Sequence, residues 1–154
     1  MFYAIIAAFA ALIVGLDQWT KYLIIENVPL HTDLDSVLGV FHITHTKNTG
    51  AAWGMLEGQT WLFVVVMVLF IAFIVLVIWR KWVTKKFELV CLAAILGGGL
   101  GNMIDRIFRD GVVTDMIEFD FIKFPVFNVA DCFITLGCAA LLIYILFFDR
   151  RKEA

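Results

Sequence analysis

The stretch Trp61–Trp79 carries no charged residue, and no other feature narrows so far what this chain can become. A helix needs about 20 apolar residues to cross the hydrocarbon of a bilayer, because each residue adds about 1.5 Å of rise. Three further stretches approach that length. They are residues about 1–25, interrupted only by Asp17, Gln18 and Lys21, then about 89–106, and finally about 129–148. The 154 residues are 62% hydrophobic and 17% charged, whereas soluble domains run at roughly 45–50% and about 25%. A core this small cannot hide so much apolar surface, so the expectation is one integral membrane domain over 1–154 with a lipid-facing exterior. A net charge of −2 and the absence of a basic stripe give nucleic acid no footing.

The first stretch lacks a basic leading segment and a small-x-small cleavage site, and it carries Asp17-x-x-x-Lys21. It therefore reads as a retained helix rather than a signal peptide. Basic residues orient the set. Arg80, Lys81, Lys85 and Lys86 crowd the link between spans two and three, and Arg150, Arg151 and Lys152 follow span four. The positive-inside rule then puts both termini in the cytoplasm and the connections 26–60 and 106–128 outside. In the first connection, Val40-Phe41-His42-Ile43-Thr44-His45 alternates and is rich in β-branched residues, as strands are. Asn48-Thr49-Gly50 reads as a turn, and Ala51–Leu56, with Trp53, as a short interfacial helix. The fold class expected is an all-α integral membrane protein of four transmembrane helices, with a small β-rich extracytoplasmic cradle and that short helix.

On this topology the unusual polar residues meet at one depth. Asp17 and Lys21 fall in the outer half of span one, four apart on one face. Asn48–Ala52 is already outside. Span three ends outward in Gly97-Gly-Gly-Leu-Gly101-Asn102-Met-Ile-Asp105-Arg106, Asp115 follows, and span four enters through Asn128-Val-Ala-Asp131. Ionisable groups in spans are costly and mark function, yet each cluster also has a structural reading. Asp17–Lys21 suits a pair tying helix one to its neighbours. Gly97-x-x-x-Gly101 has the spacing that lets membrane helices pack closely, and without a following Lys-Ser/Thr it is no phosphate loop. Asn128 suits a helix N-cap with Asp131 in the first turn.

Few chemistries fit these residues. Ser36 is the only serine and has no lysine near it in sequence. Cys91, Cys132 and Cys138 lack CxxC spacing and sit in apolar stretches, as small buried hydrophobes do. His31, His42 and His45 share one loop and read as solvated, and His42-x-x-His45 has no evident third ligand, so no metal or other cofactor is expected. Carboxylates remain: Asp105, Asp115 and Asp131. Asp105, next to Arg106, is expected to be bound up with it. That leaves Asp115 and Asp131 as a pair able to share a proton, one activating water and the other protonating the substrate. Asn48, Asn102, Arg106 and Asn128 would be its polar positioners.

The clusters Asp17-Gln-Trp-Thr-Lys21, Asn48-Thr-Gly-Ala-Ala52, Gly97–Arg106, Gly111-Val-Val-Thr-Asp115 and Phe127-Asn128-Val-Ala-Asp131, in this order, resemble the lipoprotein signal peptidases (type II signal peptidases). The resemblance implies a bacterial inner-membrane aspartyl endopeptidase that cleaves prolipoproteins before a diacylglyceryl-modified cysteine. It implies Asp115 and Asp131 as the catalytic dyad. Asn48, Gly50, Asn102, Arg106, Asn128 and Ala130 would shape the pocket, with Asp17 and Lys21 in support. It further implies inhibition by globomycin-type cyclic peptides, contact with membrane lipids, and an active site at the outer face. The stretch Ile107–Asp110 departs from the family by one extra residue before the following glycine. The rival classes are a small four-span proton-coupled transporter, whose carboxylates would sit near the midplane, and a scaffold without chemistry.

Overall fold

The computed structural model describes residues 2–50 and 55–148. Its elements run α1 (Phe2–Asn27), β1 (Phe41–Asn48), α2 (Thr60–Trp79), α3 (Lys86–Phe108), β2 (Val113–Phe119) and α4 (Val129–Phe147). All four helices are long and apolar enough to cross a membrane. The short interfacial helix expected over Ala51–Leu56 falls largely outside the described residues, and residues 55–58 form a turn.

The four helices are buried very unequally. α3 is buried along most of its length and packs chiefly against α4 and α1, while α2 is attached more lightly. On α1 the buried residues are Ala10, Ile13, Asp17 and Lys21, a single stripe at three- and four-residue spacing that faces α3. Glycines set how near the helices come. A Cβ on Gly97 would lie 2.9 Å from the Ala10 carbonyl oxygen, and one on Gly101 would lie 2.5 Å from an Asp17 carboxylate oxygen. Gly98 meets the Ala130 carbonyl oxygen of α4 just as tightly. Without side chains at these points, α1 and α4 close on α3 from two sides and bring their polar groups together.

The two connections at one end of the bundle join as a sheet. β1 and β2 pair antiparallel, with Phe41 opposite Phe119, His42 opposite Glu118 and Ile43 opposite Ile117. A bulge between Ile43 and Thr46 then resets the register so that Thr46 faces Asp115 and Asn48 faces Val113. Such a bulge bends the strand and re-aims the side chains beyond it. The turn from α3 into β2 passes through Asp110 and Gly111 with φ of 53° and 85°, conformations that suit these two residue types. After β2 the chain doubles back, and the Phe127 carbonyl accepts from the Met116 and Ile117 N–H groups, which brings Asn128 to the start of α4.

Candidate active site

Two polar networks lie side by side where α1, α3, α4 and the sheet meet. The first is closed. Asp17, Lys21 and Asp105 are each 0% exposed. Lys21 Nζ lies 2.8 Å from Asp17 Oδ2 and 3.0 Å from Asp105 Oδ2. Asp17 Oδ1 accepts from the Ala130 N–H at 3.0 Å, and Asp105 Oδ2 accepts from the Thr114 N–H at 3.2 Å. Arg109 Nη1 stands 3.1 Å from Asp105 Oδ1. Two cations thus answer two carboxylates, which is what a buried charge cluster requires to offset its desolvation.

This corrects one expectation. Asp105 is not bound up with Arg106. Adjacent helical residues point about 100° apart, whereas residues four apart share a face, so Asp105 meets Arg109 and leaves Arg106 to another surface. Arg106 donates to the Gly50 carbonyl at 2.9 Å and to the Asn102 carbonyl at 3.3 Å, and its guanidinium lies 4.3 Å from the centre of the Phe63 ring.

The second network opens on a cavity. Asp115, on β2, accepts at Oδ2 from Asn48 Nδ2 (2.9 Å) and at Oδ1 from Asn128 Nδ2 (2.6 Å). Asp131, in the first turn of α4, accepts at Oδ1 from Asn102 Nδ2 (2.8 Å) and at Oδ2 from the Asn128 N–H (3.1 Å). The last contact is half of a capping box, in which Asn128 Oδ1 accepts from the Asp131 N–H at 3.0 Å. The amides cannot turn freely. Lys21 Nζ donates to Asn102 Oδ1 at 2.9 Å, which obliges Asn102 to present its NH2 to Asp131. Asn102 Oδ1 also accepts from Asn128 Nδ2 at 3.0 Å, and Asn48 Oδ1 accepts from the Gly50 N–H at 2.9 Å.

The cavity measures about 560 Å³. Asn48, Gly50, Asn102, Arg106, Asp115 and Asp131 form its polar wall, and Val113, Phe119, Phe124, Phe127 and Leu136 much of its apolar one. Burial pushes the Asp115 carboxyl up to about 6, and the negative charge of Asp131 pushes the same way. The Asn48 and Asn128 hydrogen bonds and the charge of Lys21 pull it back only in part. A buried carboxyl that exchanges its proton near neutrality, beside a second carboxylate, can work as an acid–base pair on a bound water.

Most residues singled out in the sequence meet here. Asn48, Gly50, Asn102, Arg106, Asp115 and Asp131 line the cavity, Asn128 stands behind it, and Asp17 and Lys21 form the closed network. Ala130 does not line the cavity: it is 0% exposed and acts through its backbone on Asp17. The histidines also depart from expectation. His31 is exposed, but His45 is buried with Nδ1 2.7 Å from the Val28 carbonyl, and His42 is half-buried. Sequence reasoning passed over Gln18, which donates to Asp105 Oδ1 at 2.9 Å and to the Gly101 carbonyl at 3.0 Å. Its place beside Asp17 inside an apolar stretch was the available signal. It also passed over Arg109 and the phenylalanines between Phe119 and Phe127.

Residues 9–147 match the family model described as Signal peptidase (SPase) II. The chain is 39% identical over 144 residues to the lipoprotein signal peptidase of Enterococcus faecalis, covering 94% of this chain and 89% of that one. It is 43% identical over 151 residues to the lipoprotein signal peptidase of Geobacillus kaustophilus, covering 94% of each. A bacterial membrane enzyme solved by the in meso method superposes with a TM-score of 0.88 at 29% identity, over 98% of this chain and 92% of the other. A second such enzyme gives 0.84 at 30% identity, over 95% and 94%.

Proposed function

The chain belongs to the signal peptidase II family of multi-pass bacterial membrane proteases that remove signal peptides from lipoprotein precursors, and from that premise we propose that Asp115 and Asp131 are its catalytic dyad. A transporter finds no support in these likenesses. The observation that carries the assignment is that the two carboxylates share Asn128 as a hydrogen-bond donor and both line the one 560 Å³ cavity. Aspartic catalysis is the family's general mechanism, and these residues can perform it. Asp131, held by the Asn128 N–H at the positive end of α4, takes a proton from the attacking water. Asp115, its carboxyl pushed up to about 6 by burial, donates from its protonated form to the substrate carbonyl oxygen. The proton on Asp131 then passes to the leaving amine as the peptide bond breaks, and the collapsing diol returns a hydroxyl proton to Asp115.

The polar positioners divide between the two partners of the reaction. Asn48, Asn102 and Asn128 aim the carboxylates. Arg106 fixes the Gly50 carbonyl, and its buried Nε–H, without an acceptor among the described residues, suits a substrate carbonyl. The scissile bond would precede a diacylglyceryl-modified cysteine, whose acyl chains suit the apolar wall and the surrounding lipid. A globomycin-type cyclic peptide would occupy the same cavity and inhibit. The whole chain acts as a single peptidase domain, with both termini cytoplasmic and the sheet and dyad at the outer face.

The test of the dyad is cleavage of a lipidated precursor by detergent-purified Asp115→Asn and Asp131→Asn. Near-normal turnover by either variant removes that residue from the dyad. The orientation is tested by labelling single cysteines from outside the cell, in a background lacking Cys91, Cys132 and Cys138. Exposed positions Leu38 and Thr84 serve, and the expectation is labelling at 38 and none at 84.

A further inference from the structure

On β1 and β2, before the bulge, His42 and Glu118 are direct cross-strand partners, so their side chains leave the same face of the sheet. Asp33 arrives over that face from the loop after α1. The loop is pinned there by the Leu34 N–H donating to the Ile43 carbonyl at 2.8 Å and by an Asp33–Thr44 bridge. His42 Nε2 lies 3.4 Å from Glu118 Oε2 and 3.7 Å from Asp33 Oδ1, and the ligand atoms of all three residues fall within 4.8 Å of one another. Those separations are too long for good hydrogen bonds, which run at about 2.7–3.2 Å. A tetrahedral site with its centre about 2.0–2.1 Å from each nitrogen or oxygen ligand has an edge of roughly 3.4 Å, which the His42–Glu118 separation meets and the His42–Asp33 separation exceeds by a few tenths of an ångström.

The imidazole is prepared for such a role. Its Nδ1 lies 2.6 Å from Asp120 Oδ1, and since a carboxylate only accepts, Nδ1 carries the hydrogen. When the ring is neutral its lone pair is on Nε2, a buried atom without a hydrogen bond among the described residues, within 3.4 Å of Glu118 and 3.7 Å of Asp33. Asp120 is itself held by the Ser36 hydroxyl. A carboxylate behind a histidine, fixing its tautomer and raising its basicity, is the usual second layer of a protein metal site. We propose that Asp33, His42 and Glu118 bind one divalent transition-metal ion, zinc by ligand preference, with water completing the tetrahedron.

The sequence pattern alone could not show this, because the carboxylates around His42 come from β2 and the preceding loop rather than from a nearby histidine motif. His45, the apparent partner in His42-x-x-His45, is turned to the Val28 carbonyl instead. The ion would add a further link among three segments already joined by backbone hydrogen bonds and by Asp120, and so stiffen the back of the sheet whose other strand positions carry Asp115. It takes no part in the cleavage chemistry.

The test is titration of the chelator-treated full chain in detergent with Zn2+, followed calorimetrically, and with Co2+, followed by visible absorption. The expected result is saturable binding of one Zn2+ per chain and a Co2+ spectrum of low coordination number. His42→Gln and Glu118→Gln should each weaken binding at least about tenfold, Asp120→Asn should weaken it about 10–100-fold by loosening the ring, and His31→Gln should leave it unchanged. Cleavage of a lipidated precursor reports that each variant is folded, and Glu118, whose side chain is 41% exposed, carries the test should His42→Gln fail to fold. Binding that is absent, or that survives both His42→Gln and Glu118→Gln, overturns the proposal. In that event the cluster is an ion-paired, protonated histidine.

Discussion

Asp105 and Asp115 are both buried carboxylates reached by the same few helices, yet they are neutralised by opposite means. Asp105 and its neighbour Asp17 meet cations, Lys21 and Arg109, at 2.8–3.1 Å. Among the described residues, the Asp115 and Asp131 carboxylates accept hydrogen bonds from N–H groups of Asn48, Asn102 and Asn128 alone. A cation in contact favours the ionised form of a carboxylate. An amide hydrogen bond lowers the cost of the charge without supplying an opposite one, so burial still favours the proton on Asp115. The closed network thus balances charge with charge, and the open one leaves Asp115 a carboxyl able to exchange a proton. Asn102 joins them, with its carbonyl on Lys21 and its NH2 on Asp131.

The largest effect expected lies on the open side. Asp115→Asn and Asp131→Asn should each lower cleavage by on the order of 10³-fold or more, since each removes one half of the proposed acid–base pair. Asn at position 115 also turns an NH2 toward Asn48 or Asn128, both donors, so folding is to be checked separately by thermal unfolding. The closed side should respond first in stability, with activity affected through Asn102. Lys21→Met leaves Asp17 and Asp105 facing each other without their shared cation, and breaking a buried pair in this way costs about 3–5 kcal/mol. Unfolding in detergent measures it. A Lys21→Met protein of unchanged stability that has lost only activity would erase the distinction between the two networks.

The pH dependence of stability separates them next. With its ordinary value at 3.8 and its folded value raised to about 6, Asp115 holds its proton more tightly when folded. Its contribution is full below about 3.8 and is lost as the pH rises through about 6. The span corresponds to about 3 kcal/mol. The unfolding temperature of the native protein should therefore rise between pH 7 and pH 5, and that increment should shrink in Asp115→Asn. An equal increment in both proteins would place the titration elsewhere.

How much of this was legible depends on the range of the forces involved. The four helices are written locally, because lipid demands continuous apolar runs. The Asn128–Asp131 cap is also local, lying within one turn. The meeting of the five polar clusters at one end is implied once the helices alternate in direction. The rest depends on rotation and register, which no short stretch of sequence encodes. That Asp105 meets Arg109 rather than Arg106 follows from the helix repeat, but that it also meets Lys21 is settled by how α3 turns against α1. The partners of His42 depend on strand pairing, and the bulge between Ile43 and Thr46 shifts every contact beyond it. Ala130 acts through backbone atoms, which carry no residue signature.

The smallest effect expected concerns the distance between α1 and α3, on which the closed network rests. A methyl group at Gly101 would stand 2.5 Å from the Asp17 carboxylate, whose other contacts to Lys21 and Ala130 leave it little room to retreat. Gly101→Ala should therefore cost about 1–3 kcal/mol, as overpacking does. Gly15, on α1 itself, would carry a methyl with nothing within 4 Å of it. Gly15→Ala should be neutral, or stabilise by up to about 1 kcal/mol through helix propensity. Both changes add one methyl to a helical glycine, so their difference isolates the close approach from propensity. Thermal unfolding of the two variants measures that difference. Equal stabilities would mean that α1 and α3 can separate without loss, and that Lys21 and Asp105 do not depend on glycine for their contact.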